Sequence, residues 1–353
     1  MHITVDQIQN IHFEITNKCN SRCPGCARTL NGDTHPYLKS KLMEWDLPTF
    51  QNVITPDIIK GKSFTFGGTV DEPFMNRHIE SIVRYIIHNG AHVEIFTNGG
   101  ANTRDTFERL GQLSKETDQL DVKFSVDGME QTNHLYRVNV DWNKVVENMT
   151  AYTSQGGIGE WQYLVFEHNE QDIPNAKLLA EKLQIPLYLR QNVRNIKPWT
   201  SYIKKKIDGQ IVTEEFIVNP TQNKNLEHPE TKKVSKWSLP ENVSEQDKAD
   251  SIQCLMYHRK EIFIDWSGLV WPCCWFATDY HFENDPVFAE IEKEFGKNWN
   301  NLLDHTLQEI LSHPYYNELL IKSWMKNAKF HNQECFKKCG DFAKRQSYKF
   351  SSV

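Results

Sequence analysis

Cys19-Asn20-Ser21-Arg22-Cys23-Pro24-Gly25-Cys26 follows directly on Ile11-His12-Phe13-Glu14-Ile15-Thr16, where apolar and polar residues alternate. A period of two marks a strand with one buried face. The three cysteines therefore lie on a loop at the C-terminal end of a strand. Further strand-like runs cover Ser63–Phe66, Val93–Phe96, Val122–Ser125, Gln162–Phe166 and Leu187–Arg190. Between them apolar residues recur at helical spacing: Ile79, Ile82, Val83, Ile86 and Ile87; Val145, Val146, Met149 and Tyr152; Leu178, Leu179 and Leu183. Six strand–helix units in series predict a parallel sheet with helical crossovers. Six are too few for the eight-stranded barrel of this kind. The expectation for residues 1–195 is an α/β fold, a partial (β/α)6 TIM-like barrel, with functional residues at the strands' C-terminal ends.

Beyond the barrel the pattern changes. Residues 196–250 are polar, with Lys204-Lys205-Lys206, Asp208-Gly209 and few apolar positions. They read as a linker or surface insertion that partly orders over the barrel mouth. Glu261 to Trp271 reads as a β-hairpin turning at Ser267-Gly268. Two helical stretches follow, near 285–295 and 305–326, so residues 251–353 form a small β-hairpin-plus-helices domain.

The chain has 353 residues, 39% of them hydrophobic, and a formal net charge of -6. That balance argues against a general nucleic-acid or anionic-membrane binder. No run approaches the ~18 consecutive apolar residues of a membrane span. The first residues lack the basic-then-apolar pattern of a secretory signal, so the expected location is cytoplasmic. In a reducing compartment the eight cysteines should not be paired as disulfides. They fall instead in two groups, Cys19, Cys23 and Cys26 at one end and Cys254, Cys273, Cys274, Cys335 and Cys339 at the other. Three thiolates on one loop suit a [4Fe–4S] cube, each holding one iron and leaving the fourth open. A zinc loop completed by a histidine such as His35 is the competing reading.

The C-x3-C-x2-C triplet after the first strand resembles the radical S-adenosylmethionine (radical SAM) superfamily, and the resemblance continues through the barrel. Phe66-Gly67-Gly68-Thr69-Val70-Asp71-Glu72-Pro73 after the second strand resembles the family's Gly-Gly-Glu-Pro segment, lengthened by Thr69, Val70 and Asp71. The resemblance implies that Gly67, Gly68 and Glu72 bind the SAM amino group, with Glu72 preferred over Asp71. Thr97-Asn98-Gly99 resembles the family's Thr-Asn-Gly turn. Ser125 and Asp127, with Arg137 downstream, resemble the segment that contacts the SAM ribose and carboxylate. The family usually carries a bulky residue before the third cysteine, where this chain has Gly25. The adenine ring must then rest on another surface.

The spacing Cys254-x13-Gly268-x4-Cys273 with a later Cys335–Cys339 pair resembles the SPASM/twitch extension of these enzymes. It implies one auxiliary [4Fe–4S] cluster held by Cys254, Cys273, Cys335 and Cys339. The same four residues could hold zinc. Cys274 is left over. It is read either as a hydrogen-atom donor to a substrate radical or as a packing thiol, and Asp265 is a weaker candidate for a catalytic acid.

The resemblance implies an enzyme that reductively cleaves S-adenosylmethionine and abstracts hydrogen through a 5′-deoxyadenosyl radical. Oxidation, epimerisation or cross-linking would follow, with a one-electron reductant such as flavodoxin or ferredoxin as partner. The first strand begins near residue 11, which leaves no room upstream for a leader-binding domain. The substrate is then a sugar-like small molecule, a peptide held by a separate partner, or a protein side chain. The alternative from another class is a non-catalytic protein scaffolded by zinc or iron–sulfur.

Overall fold

Ile11 and Phe13 are fully buried, with Phe13 against the rings of Trp45 (5.0 Å) and Phe50 (5.4 Å), while His12 between them lines a cavity on the opposite face. That alternation recurs strand by strand in the computed structural model, which describes residues 3–191, 198–223, 244–283 and 285–340. Strands β1 (Asn10–Phe13), β2 (Ser63–Phe66), β3 (His92–Thr97), β4 (Leu120–Ser125), β5 (Ile158–Val165) and β6 (Leu187–Gln191) pair side by side, all parallel. Helices α1 (Ile79–His88), α2 (Arg104–Thr117), α3 (Trp142–Ser154) and α4 (Ile173–Leu183) lie between them in sequence. The expected six parallel strands of the barrel are therefore present.

Helix α1 buries Ile79, Ile82, Val83, Ile86 and Ile87, the stripe that its spacing foretells. Each such side chain contributes about 1.5–3 kcal/mol of burial free energy. Phe74, Phe107 and Phe124 stack in series behind β4, at 4.1 and 6.0 Å. Apolar packing thus sits between strands and helices. The inner face is different. Lys123 bridges Glu94 and Glu160, and Arg190 pairs with Glu160 at 3.3 Å. Barrels of this kind usually fill the interior with branched apolar residues, but here it carries a chain of alternating charges.

The described part of the segment 196–250 is more regular than a linker. Strands β7 (Trp199–Ile207) and β8 (Gln210–Val218) form an antiparallel hairpin over nine paired positions. It turns at Asp208-Gly209, both with positive φ, as a two-residue hairpin turn requires. The part at 224–243 lies outside the described residues.

The C-terminal hairpin turns where expected, with Gly268 at φ +89°, but it does not stand apart from the barrel. Strand β9 (Glu261–Ile264) pairs parallel with β1, Ile11 opposite Ile262, and β10 (Val270–Trp271) pairs with β9. The sheet order is β10-β9-β1-β2-β3-β4-β5-β6. Helix α5 (Cys274–Thr278) follows, then α6 (Pro286–Phe295) and finally α7 (Gln333–Cys339).

Asp265 closes the turn of this hairpin. One carboxylate oxygen accepts from the Ser267 amide and hydroxyl, and from the Leu269 amide. The other accepts from the Trp271 indole at 2.8 Å and faces His281 Nε2 at 2.9 Å. Burial alone would raise its pKa, but His281, Ser267 and Trp271 outweigh that and hold it low. Asp265, the weaker candidate for a catalytic acid, thus has its carboxylate buried and committed to the turn. Replacing Asp265 by Asn turns an amide donor toward the Trp271 N–H. We expect a loss of about 2 kcal/mol, measured by denaturant unfolding of the metal-free protein.

Candidate functional site

The cysteine loop is tied to three neighbouring strand-end loops. Arg28 donates to the carbonyls of Asn17 and Val70 at 2.9 and 2.6 Å. Asn20 accepts from Asn98 at 2.8 Å and donates to the Gly100 carbonyl at 3.0 Å. The Ser21 hydroxyl and the Arg22 amide both reach the Val138 carbonyl. These ties bring the loops around one cavity of about 560 Å³. Cys19, Cys23 and Cys26 line it, together with Gly67, Gly68, Glu72, Thr97, Asn98, Ser125, Asp127 and Arg137. Every candidate cluster ligand and SAM contact that the resemblance implies in the barrel thus lines one space, whereas His35, of the competing zinc reading, does not.

Gly67 has φ +84°, and a Cβ there would run into the Phe96 carbonyl. Only glycine allows that close approach. Its own carbonyl faces His12 Nε2 at 2.8 Å. Burial lowers the His12 pKa to about 4, so its ring is neutral near pH 7. Asp127 accepts from Arg137 Nε at 2.6 Å and from the Leu164 amide at 2.7 Å. Arg137 in turn points a guanidinium nitrogen at the Cys23 sulfur, 3.8 Å away.

The two candidate acids of the lengthened loop have opposite circumstances. Glu72 accepts from the Thr97 hydroxyl at 2.6 Å, the Asn98 amide at 2.7 Å and the Phe74 amide at 3.3 Å. Both its oxygens are used in joining two loops. Asp71 lines the cavity with both oxygens buried and without a hydrogen-bond partner. Behind it Glu14 accepts from the Val70 amide with one oxygen and leaves the other without one. Burial and then Asp71 push the Glu14 pKa well up, and burial and then Glu72 do the same for Asp71. Burial raises Glu72 to about 7 against its hydrogen bonds. Asp71 and Glu14, with orphan oxygens beside the fully engaged Glu72, offer acceptors to a cationic group. Of the two acids that the resemblance offers for the amine, Glu72 is engaged by three donors and Asp71 keeps free acceptor capacity.

Sequence reasoning overlooked Glu14, Asn20, Arg28 and Arg190. Their signal was a polar residue at an inward strand position, or next to a cysteine, in an otherwise apolar context.

The second thiol group also converges. Cys335 and Cys339 are four residues apart on α7, hence on one helix face. With Cys254 and Cys273 they line a small pocket closed by Trp275, Phe276 and Leu320. The Gln253 amide donates to the Cys339 carbonyl at 2.8 Å and fixes the helix against Cys254. Burial first, then neighbouring thiols, push Cys273 and Cys335 well up, and burial raises Cys254 to about 12. These thiols stay protonated until a metal centre replaces the protons. Cys274 begins α5, packs partly buried against the core and lines neither cavity.

Among the described residues no three His, Cys, Asp or Glu side chains converge closely enough to ligate a single ion. Thiols spread round a cavity wall suit a cluster that gives each thiolate its own iron. No described helix is long and apolar enough to cross a membrane.

Residues 254–340 match the SPASM family, described as an iron–sulfur cluster-binding domain. Together with the parallel barrel before it, this gives the chain the fold of a radical SAM enzyme carrying a SPASM domain. Among solved structures it is similar to Streptococcus suis SuiB bound to S-adenosylmethionine. There the TM-score is 0.52 and the identity 13%, covering 88% of this chain and 67% of that one. SuiB bound to its precursor peptide SuiA gives 0.53 and 12%, covering 88% and 66%. Native anSMEcpe with bound AdoMet gives 0.49 and 12%, covering 97% and 92%. At such identities the SuiB likeness is one of fold, and the chain spans about two thirds of SuiB's length. No curated protein matches the sequence.

The acids at the cavity make a testable demand on the metal-free, SAM-free protein. Asp71 releases its proton near 3.8 when unfolded and well above that when folded. The folded state therefore holds more protons through that window, and stability falls as pH rises across it. Asp71→Asn removes the charge without losing a hydrogen bond. Its melting temperature should exceed wild type by a margin that widens from pH 4 toward pH 8, reaching roughly 2–5 °C. Differential scanning calorimetry over that pH range checks it, and an equal or lower melting temperature at pH 8 would count against the arrangement.

Proposed function

We infer that the protein is a radical SAM enzyme. The observation that carries this reading is the convergence of Cys19, Cys23 and Cys26 with three further strand-end loops on a single polar cavity. In this reading the three thiolates hold a [4Fe–4S] cluster, and Cys254, Cys273, Cys335 and Cys339 hold an auxiliary one. When bound, the reduced cluster and S-adenosylmethionine supply an electron and a carbon-centred radical that abstracts hydrogen from substrate.

The chain's own residues bind, orient and exclude water. Asp71 accepts the cofactor's ammonium group, and Gly67 and Gly68 let the backbone approach it. Thr97, Asn98 and Glu72 keep that loop in place, and Ser125 with the Asp127–Arg137 pair borders the rest of the ligand. The neutral His12 braces Gly67. A flavodoxin- or ferredoxin-type reductant fits the need for single electrons.

The reacting group sits toward Glu94, Gln162, Arg190 and Glu261, which line the same cavity. That wall suits a polar or charged side chain, and a peptide substrate agrees with the SuiB structure bound to its precursor peptide. Among the described residues the cavity holds no thiol beyond the three loop cysteines. Oxidation or bond formation is therefore favoured over epimerisation with a thiol donor.

Anaerobic reconstitution tests the reading. About eight irons per chain are expected, four for each cluster, with 5′-deoxyadenosine formed on reduction. Zinc without SAM cleavage would instead support a metal-scaffolded binding protein. Serine at Cys19, Cys23 and Cys26 should remove about four irons and abolish cleavage, and serine at the four C-terminal ligands should remove the other four. Cys274→Ser should retain both clusters and turnover. Once a substrate is found, product made in heavy water should carry no deuterium at the reacting carbon. Asp71→Asn should bind S-adenosylmethionine at least about tenfold more weakly while keeping its iron, as measured by equilibrium dialysis.

A further inference from the structure

Gly25 lies between the second and third cysteines of the loop, and its backbone would accept any residue. The limit there is space. A Cβ on Gly25 would stand 2.5 Å from Cη2 and Cζ3 of Trp199. Seven positions on, a Cβ on Gly32 would run into Cβ of Tyr202. Both aromatic residues belong to β7, so the hairpin is keyed onto the cysteine loop by two side chains that fit because two glycines face them. Lys204 adds an ion pair to Asp33 at 3.8 Å, and the Ser201 hydroxyl donates to the Leu135 carbonyl at 2.6 Å.

On its other side Trp199 stacks with Tyr136, 6.1 Å between centroids and 18° between planes. Tyr136 packs on Phe166 at 4.6 Å. Cys23, Tyr136, Phe166 and Val218 form one buried apolar cluster, with Cys26, Leu164, Trp199 and Phe216 packed against it. Cys23, Cys26, Tyr136 and Leu164 of this group also line the cavity. The cavity therefore has two unlike ends. One offers the acceptor oxygens of Asp71, and the other an apolar wall whose backing comes from the base of the hairpin. A ligand that fits both has a cationic end and a flat apolar end.

We propose that Trp199 is a positioning residue of the cofactor cleft: it fills the volume left by Gly25 and supports the Tyr136–Leu164 wall, on which the adenine of S-adenosylmethionine rests. The inference depends on the radical SAM reading and adds the hairpin to the site. Tyr136 and Leu164 touch the ligand, and Trp199 acts through them.

The test uses the full chain, anaerobically reconstituted, with S-adenosylmethionine as probe. Affinity is read by equilibrium dialysis, and cofactor contact by the SAM-induced change in the EPR spectrum of the reduced cluster. Iron content and far-UV circular dichroism report folding. Trp199→Ala should keep its iron and fold but bind at least about tenfold more weakly, the scale of a lost aromatic stacking partner. Gly25→Phe alone should also bind poorly, since two rings then compete for one volume. The double variant Gly25→Phe/Trp199→Ala supplies the ring from the other side of the gap and should recover to within about threefold of wild type. A mere folding role for Trp199 predicts no such rescue. The proposal is overturned if Trp199→Ala binds like wild type, or if the double variant is no better than Trp199→Ala. If wild type itself binds no S-adenosylmethionine, the radical SAM reading has failed, and this inference falls with it.

Discussion

Both edges of β1 are taken. Strand β2 pairs with one side and β9 with the other, each parallel and in register through Ile11 and His12. That double pairing is the constraint on which the rest of the arrangement depends. The loop after β1 carries Cys19, Cys23 and Cys26, the loop after β2 carries Asp71 and Glu72, and the hairpin that begins with β9 leads to Cys273. Hydrogen bonding along one four-residue strand thus fixes the relative placement of both thiol sets and the acids between them. A parallel pair also points its strand ends the same way, so the loops after β1 and β2 emerge together, whereas β10 runs back along β9 and carries Cys273 toward the other end.

What those loops present is chemically incomplete without cofactors. Glu14, Asp71 and Glu72 are buried close together, the first two with oxygens that lack donors, and the thiols of the second site crowd one another, which pushes their pKa values up. A protein built only for stability would not gather such groups, because each one raises the cost of ionising the next. Departures of this kind from local consistency are expected where function is located. Glu72 shows the other side of that rule. It is as buried as its neighbours, yet three donors satisfy it and make it a brace between two loops.

The barrel strands, the cysteine loop and the thiol division were legible in the sequence, since each depends on local spacing. Alternating burial in β1 and helical periodicity in α1 come from one-sided packing, which a pattern of residues records directly. The 199–218 hairpin was not legible as structure, although Asp208-Gly209 is a strong turn signal. Its outer residues, from Lys204 through Glu215, are solvated on both faces, so no hydrophobic period marks the strands. The roles of Asp71 and Glu72 were equally hidden. Both are acids in one loop, and only the donors at Thr97 and Asn98, far away in sequence, separate them. Asp265 stood out as an acid near the second set of thiols, but its carboxylate is held by Ser267, Leu269, Trp271 and His281. Gly25 was visible as an exception whose explanation lay more than 170 positions further on, at Trp199.

The charged inner face of the barrel divides labour within each strand. Ile95, Val122 and Trp161 on the outward face hold the sheet to its helices. Glu94, Lys123, Glu160 and Arg190 on the inward face contribute little to that packing and stand in partial contact with water. Successive residues of one strand therefore answer to different selective pressures, one to folding and the next to recognition. Such a strand can be rewritten at every second position without endangering the fold. Inward positions are therefore less bound to the packing of the sheet than outward ones, and the part-solvated ion pairs there are the part of these strands least tied to the core.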